Sequence, residues 1–319
     1  DNTIGAFSQQ AGILEGIENI KTPTRLFLIP YSSFYVSGSE TQKTKGEFKG
    51  GLDIKYGIND AFTLDAILVP DFGQTAFDKV ELNLTAFEQQ FTENRPFFTE
   101  GTELFSKGNL FYSRRIGRSP QGSANPSDNE YVKQPNNTTI LGAAKFSGKT
   151  KNGWSLGVLE SLTASEFAKI TDNTNKRKKM VEPLTNYFVG RAQKDFNNRN
   201  SFIGGIFTAT NRNLQGDDLS FLRKSAYTAG IDFQHNWKKR KYFFSGNIVT
   251  SHVIGSEEAI AATQTSLTHL FQRVDASHVE VDESRTSLTG TGGRFEIGKA
   301  SVGHWRYSGI FVWRSPELE

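Results

Sequence analysis

Residues 227–248 read YTAGIDFQHNWKKRKYFFSGNI. Tyr227, Ala229, Ile231, Phe233 and Trp237 fall on one phase of a two-residue period, and Thr228, Asp232, Gln234 and Asn236 fall on the other. After Lys238, Lys239, Arg240 and Lys241 the apolar phase resumes at Tyr242, Phe244 and Ile248. A period of two belongs to an extended strand with one apolar and one polar face, and a short charged break between two such runs reads as a hairpin turn. This pair decides the fold class because its pattern recurs along the chain.

Within 46–57, Phe48, Leu52, Ile54 and Tyr56 oppose Glu47, Lys49, Asp53 and Lys55. The turn Gly57-Ile58-Asn59-Asp60 follows, and then Phe62, Leu64, Ala66 and Leu68 alternate with Thr63 and Asp65. Ile140, Ala144 and Phe146 share a phase along 139–147, and Trp154, Leu156 and Val158 resume it after Lys151-Asn152-Gly153. Asn-Gly supplies the positive φ angles of a tight hairpin turn. Strands over 184–196 and 201–210 flank Asn197-Asn198-Arg199-Asn200, and a last pair covers 287–297 and 304–314, where Trp305, Tyr307, Phe311 and Trp313 oppose His304, Arg306 and Ser308. With a first strand near 24–36, which carries Pro30, the pattern predicts about eleven strands.

The connections alternate in length. Short ones fall at 58–60, 150–153, 197–200, 237–241 and 298–303, and the intervening ones, 71–138, 164–183, 211–224 and 253–286, are much longer. Short turns on one rim and long loops on the other belong to outer-membrane barrels, whereas a sandwich with Greek-key crossings has no reason to keep that order. The fold expected is therefore all-β: an antiparallel transmembrane outer-membrane β-barrel with a long inserted loop. An odd strand count leaves the chain on the outer rim, so the barrel is expected to be incomplete as it stands. The chain divides into a lead-in segment (1–23), first barrel strands (24–70), a long external or lumen-inserted loop (71–138) and further strands (139–319).

Composition agrees. The chain of 319 residues has no Cys, which excludes disulfides and thiolate metal sites. Mean hydropathy is −0.48 and hydrophobic residues make up 36%, and no apolar run approaches the ~18 residues of a transmembrane helix. Strands of a barrel need no such run. Aromatics reach 12%, a share that suits interfacial girdles. The candidate belt comprises Trp154, Tyr227, Trp237, Tyr242, Trp305, Tyr307 and Trp313. A net charge of +3 makes no case for nucleic-acid binding. The opening at Asp1 lacks a signal-peptide pattern, which neither shows nor excludes export.

Several strings are long and unusual: 68–74 (LVPDFGQ), 83–88 (NLTAFE), 94–101 (NRPFFTEG), 110–118 (LFYSRRIGR), 286–293 (TSLTGTGG) and 303–307 (GHWRY). Through them the chain resembles the barrel region of a Bacteroidota outer-membrane family of unknown function, whose members usually carry a family 9-type carbohydrate-binding domain before the barrel. The resemblance covers most of the chain. It implies an outer-membrane location, and a role as a channel or as a structural subunit of a complex that handles glycans or protein. Implied partners are outer-membrane lipid and lipopolysaccharide, other outer-membrane or periplasmic subunits, and glycan. The carbohydrate-binding domain itself is absent, so no residue here carries a sugar-directed activity inferred from it.

Segment 71–138 holds Phe87, Phe91, Phe97, Phe98, Phe105, Phe111 and Tyr112, too many aromatics for a disordered loop. Folded into the barrel mouth or lumen, its charges Glu93, Arg95, Glu100, Arg114, Arg115 and Arg118 are the candidate lumen or constriction residues. The plainer reading is that they only anchor the loop to a polar wall, since buried charges need partners whatever the function. Gly153-Trp154-Ser155-Leu156-Gly157 matches a hydrolase nucleophile pattern, but the alternation continues through it as a strand where a helix is required. The five His never fall at metal-binding spacing, and Gly290-x-Gly292-Gly293 lacks the Lys of a phosphate loop. The run Lys176-Arg177-Lys178-Lys179 is expected on an external loop tip, solvated or facing lipopolysaccharide. No catalytic residue, cofactor or metal is expected. The alternatives are an outer-membrane glycoside hydrolase, with Glu93 and Glu100 or Asp217 and Asp218 as its carboxylates, and a soluble β-sandwich binding module.

Overall fold

A computed structural model describes residues 25–39, 42–72, 82–85, 87–101, 103–172, 175–275, 277–300 and 304–319. The expected lead-in segment 1–23 lies outside them. In chain order the elements are β1 (Arg25–Ser39), β2 (Gln42–Gly57), β3 (Phe62–Leu68), α1 (Pro96–Thr99), β4 (Tyr131–Lys133), β5 (Ile140–Lys149), β6 (Trp154–Thr163), β7 (Glu166–Thr171), β8 (Lys176–Glu182), β9 (Thr185–Phe196), β10 (Ser201–Arg212), β11 (Ser225–Trp237), β12 (Tyr242–Ile254), α2 (Glu257–Thr265), β13 (Ser287–Lys299) and β14 (Tyr307–Arg314). Eleven strands form one antiparallel sheet in the order β1-β2-β3-β5-β6-β9-β10-β11-β12-β13-β14, so every main strand pairs with the next one along the chain. The all-β antiparallel meander with a long insertion is the architecture the alternation predicts. β1 and β14 are its edges, and across an odd number of antiparallel strands they run in the same direction.

The tight turns form where the sequence places them. Asn59 accepts from the backbone N–H groups of Ala61 and Phe62 through Oδ1, at 2.8 and 3.0 Å, and so closes the β2–β3 turn. The β9–β10 and β11–β12 turns share one geometry, three consecutive left-handed residues: Asn197, Asn198 and Arg199 in the first, Lys238, Lys239 and Arg240 in the second. Asn tolerates that region through local side-chain hydrogen bonding, whereas Lys and Arg adopt it at a cost of about 1–2 kcal/mol per residue.

Three expectations are corrected. The long connections 71–138 and 164–183 are not strandless. They supply β4, β7 and β8, which form a separate three-stranded sheet over a small core of Ala124, Ala168, Ile170 and Val181. The basic run 176–179 therefore lies within a strand rather than at a loop tip. Connection 253–286 contains α2, whose first free N–H is met by the Ser256 hydroxyl, which accepts from Ala259 N at 3.0 Å.

The third correction concerns phase. Ile140 does not share a face with Ala144 and Phe146, because a register shift between Ile140 and Gly142 adds one residue to β5. One extra residue turns every side chain before it to the other face. Ile140 and Ala143 consequently point to the side that carries the insertion and join the principal core.

That core defines the inner face. Ile67 of β3, Ala143 of β5, Leu159 of β6, Val189 of β9 and Ile206 of β10 pack with Phe97, Phe98, Phe105 and Ile116 of the insertion. One compact cluster touches five successive strands, which laid flat at about 4.8 Å spacing would spread over about 19 Å. The sheet is therefore concave toward the insertion. The other face carries exposed apolar side chains: Ile203, Phe207, Ile231, Ile248, Ile297 and Phe311 are between 43% and 62% exposed.

Candidate functional site

The insertion seats itself through two glycines of the wall. A Cβ on Gly157 of β6 would lie 2.9 Å from the ring of Phe105, and a Cβ on Gly230 of β11 would lie 2.8 Å from Leu110 Cδ1. Side chains of the insertion thus fill the hollows that strand glycines leave, a use of glycine for close approach. Phe97 and Phe98 meet edge to face at 5.0 Å on α1, which starts at Pro96, a residue suited to the first helical position.

The six candidate constriction charges divide by partner. Glu93 and Arg95 pair with each other: Arg95 Nε and Nη2 donate to the two Glu93 carboxylate oxygens at 2.9 and 2.7 Å. The remaining donors of Arg95 reach Ile116 O at 2.6 Å and Ser113 O at 2.8 Å, and its guanidinium lies 4.3 Å from the Phe98 ring centre. Burial alone would raise the Glu93 carboxyl, but Arg95 and the Ser113 hydroxyl outweigh it and hold it below the ordinary carboxylate range. Arg115 bonds Glu88 at 2.5 Å, and Arg118 approaches the same carboxylate at 3.9 Å. These four candidates are therefore tied within the insertion rather than to the wall. Glu100 does cross to the wall, where it pairs with Lys55 of β2. Arg114 lines the cavity on the long-connection side.

The wall supplies charges that the sequence reading did not select. Lys145 of β5, almost wholly buried, donates to Phe97 O at 2.6 Å and Glu100 O at 2.7 Å and lies 3.7 Å from Asp65 of β3. Arg191 of β9 and Asp232 of β11 form a bidentate pair at 2.7 and 2.9 Å. They meet across β10 at Gly204, where a Cβ would sit 2.6 Å from Arg191 Nη2 and 3.2 Å from Asp232 Oδ1. The available signal was a charge on the polar phase of a strand that also carries an apolar phase.

Space remains on both sides of the insertion. A cavity of about 830 Å³ opens toward the short-turn rim and is lined by Glu103, Lys149, Gln193, Asp195, Gln234 and Asn236 among others. Another of about 860 Å³ lies toward the long-connection rim, with Tyr35, Lys49, Asp71, Glu88, Arg114 and Arg118 in its lining. Ser155 of the Gly153–Gly157 string sits within β6 and lines the first cavity; no helix follows it. Among the described residues no three His, Asp or Glu side chains converge on a metal-sized site.

The candidate belt residues do not form two matched rings. Trp154, Trp237, Tyr242, Trp305 and Tyr307 gather near the short turns, with Trp237 stacked on Tyr242 at 5.8 Å. Tyr227 stands at the long-connection end, where Phe188 and Phe207, which the sequence reading passed over, complete a row at 6.2 and 6.5 Å. Trp313 lies between the two levels, because it pairs with Gly293 in mid-strand and stacks on Phe295 at 5.6 Å.

An eleven-stranded antiparallel meander with a concave polar face and a filled interior is the class this geometry defines. The chain belongs to the family described as a domain of unknown function, DUF5916, whose model matches residues 22–309. No curated protein matches it. Among solved structures, the crystal structure of Pseudomonas aeruginosa OpdQ aligns over 90% of each chain at 10% identity and a TM-score of 0.23.

Proposed function

We propose that this chain is the wall of an outer-membrane β-barrel whose passage is narrowed from within by segment 71–138, so that it acts as a restricted channel or as the barrel subunit of a larger outer-membrane assembly. The observation that carries the reading is the contrast between the faces of β10–β13. Between the level of Tyr227 and that of Trp237, among the described residues, the outer positions of these strands hold no Asp, Glu or Arg, and their one Lys, Lys299, sits at the Trp237 rim beside Tyr242. The inner positions hold Asp232, Gln234, Asn236, Asn247, Arg294 and Glu296. The ten residue-to-residue steps from Tyr227 to Trp237 rise about 33 Å at about 3.3 Å each, or about 25 Å along the normal at a strand tilt of about 40°. That is the height of the apolar band of an outer-membrane barrel.

Lipid is then the solvent of the outer face, and lipopolysaccharide, other outer-membrane or periplasmic subunits and glycan are the partners in keeping with that location. The carboxylates of a glycosidase reading fare less well. Glu93 is held below its ordinary range by Arg95, the opposite of what a general acid needs, and Glu100 is paired with Lys55.

Two measurements test the proposal. Folded protein should migrate differently from boiled protein on a gel, and full solubility without detergent would remove the barrel. In planar bilayers the intact chain should conduct weakly, and a variant lacking 75–130 that keeps heat-modifiable migration should conduct more. Equal conductance would discard the restriction.

A further inference from the structure

The small sheet β4-β7-β8 carries an unusual row. Lys133 pairs with Lys169, and Lys169 pairs with Lys178, so three lysines stand directly opposite one another across three strands. Their face is completed by Tyr131, Phe167, Thr171, Lys176 and Met180, while Ala168, Ile170 and Val181 fill the reverse side. The four lysines are exposed, and among the described residues no acid pairs with any of them. The neighbouring carboxylate Glu130 is engaged by Arg177, which lies on the other phase of β8. Side chains directly opposite on a sheet have Cβ atoms about 4.5–5.5 Å apart, and like charges at that distance destabilise the pairing. An anionic partner turns that repulsion into attraction.

The position of the row selects the partner. Only Ala164 and Ser165 separate β6 from β7, and only Pro183 and Leu184 separate β8 from β9, so the small sheet is fixed immediately beyond the long-connection rim. That rim carries Phe188, Phe207 and Tyr227, the aromatic level at which the apolar outer face ends. In the barrel reading above, on which this inference rests, the long-connection rim is the external one. We propose that the face bearing Lys133, Lys169, Lys176 and Lys178 binds the phosphate groups of lipopolysaccharide, with Tyr131 and Phe167 lying against its sugars or acyl chains.

The test uses the full chain in zwitterionic micelles, titrated with bisphosphorylated lipid A, with the same lipid A after phosphatase treatment, and with heparin. Each basic residue near an anionic lipid surface strengthens binding about 5-fold, so the triple variant K133Q/K169Q/K178Q should bind bisphosphorylated lipid A about 100-fold more weakly. The dephosphorylated lipid should bind the wild-type chain with a similar loss, and the triple arginine variant should retain binding. Unchanged binding by the glutamine variant, or equal binding of both lipids, overturns the proposal. Tighter binding of heparin than of lipid A overturns it in favour of an anionic polysaccharide. Heat-modifiable migration of the wild-type chain is read in parallel: its absence with lysine-dependent lipid A binding intact would reject the barrel and keep the site.

Discussion

Two arginine–carboxylate pairs stand on the inner face of the same sheet. Arg191 and Asp232 join β9 to β11 over Gly204, with the Arg191 side chain 0% exposed; Arg191 pairs across the sheet with Gly157, the glycine over which Phe105 of the insertion sits. Arg294 and Glu296 sit two residues apart on β13 at 2.8 Å, and the Arg294 side chain is 49% exposed. The chemistry is the same and the surroundings are not. A charge removed from water must be compensated at short range, so breaking a buried pair strands its partner, whereas an exposed pair exchanges its bond for water. The insertion thus divides one sheet into a covered wall, where charges are structural, and an open wall, where they face solvent.

The largest effect expected from this division is that of Asp232→Ala. It leaves Arg191 buried with Gln193 Oε1 as its remaining side-chain acceptor, at 2.9 Å, and should cost about 3–5 kcal/mol in a denaturant titration of the folded barrel. A loss no greater than that of an exposed pair would erase the distinction between the walls. Gly204→Ala comes next. Its Cβ would displace Arg191 Nη2 from Asp232 without removing either charge, at about 1–3 kcal/mol, the range for overpacking. If the alanine variant matches the wild type, the pair does not need an empty position beneath it.

How much of this was legible beforehand follows from where each signal lives. The strands were legible because alternation such as Ile231, Asp232, Phe233, Gln234 is local and needs no knowledge of neighbours. The Arg191–Asp232 pair was not, because it joins residues 41 apart that face each other only once β10 is placed between them. Ile140 misled because a bulge leaves the composition of a strand intact and shifts only its phase. The Glu93–Arg95 pair is two residues apart and was recognised as charge, yet its partner was expected on the wall because nothing local says that Ser113 and Ile116 fold back to Arg95. β7 carries its own alternation, Phe167 and Lys169 against Ala168 and Ile170, but so short a run inside a long connection cannot be told from a loop by pattern alone.

Acid should loosen the insertion around its own Glu93–Arg95 pair. Glu93 binds its proton less readily in the folded chain than in the unfolded one. Its contribution is therefore complete above the ordinary carboxylate range, near pH 4.3, and is lost as pH falls through the lowered folded value. Hydrogen exchange over residues 93–98 should rise at pH 3 relative to pH 6 after correction for intrinsic rates, and Glu93→Gln should remove that pH dependence. The same rise in the glutamine variant would assign the acid response to another group.

The smallest effect sharpens the comparison most, because it is a near-null result with a stated cause. Arg294→Ala removes a guanidinium that shares the inner face with Arg191, at the same strand phase and with the same kind of partner. Glu296, left alone, keeps the water it already has, and no buried charge is stranded. The denaturation midpoint should stay within experimental error of the wild type, while single-channel current at low salt should change in ion selectivity, because the open wall loses a positive charge beside the passage. If the midpoint falls as far as it does for Asp232→Ala, the wall near β13 is covered after all, and the insertion does not set the difference between the two pairs.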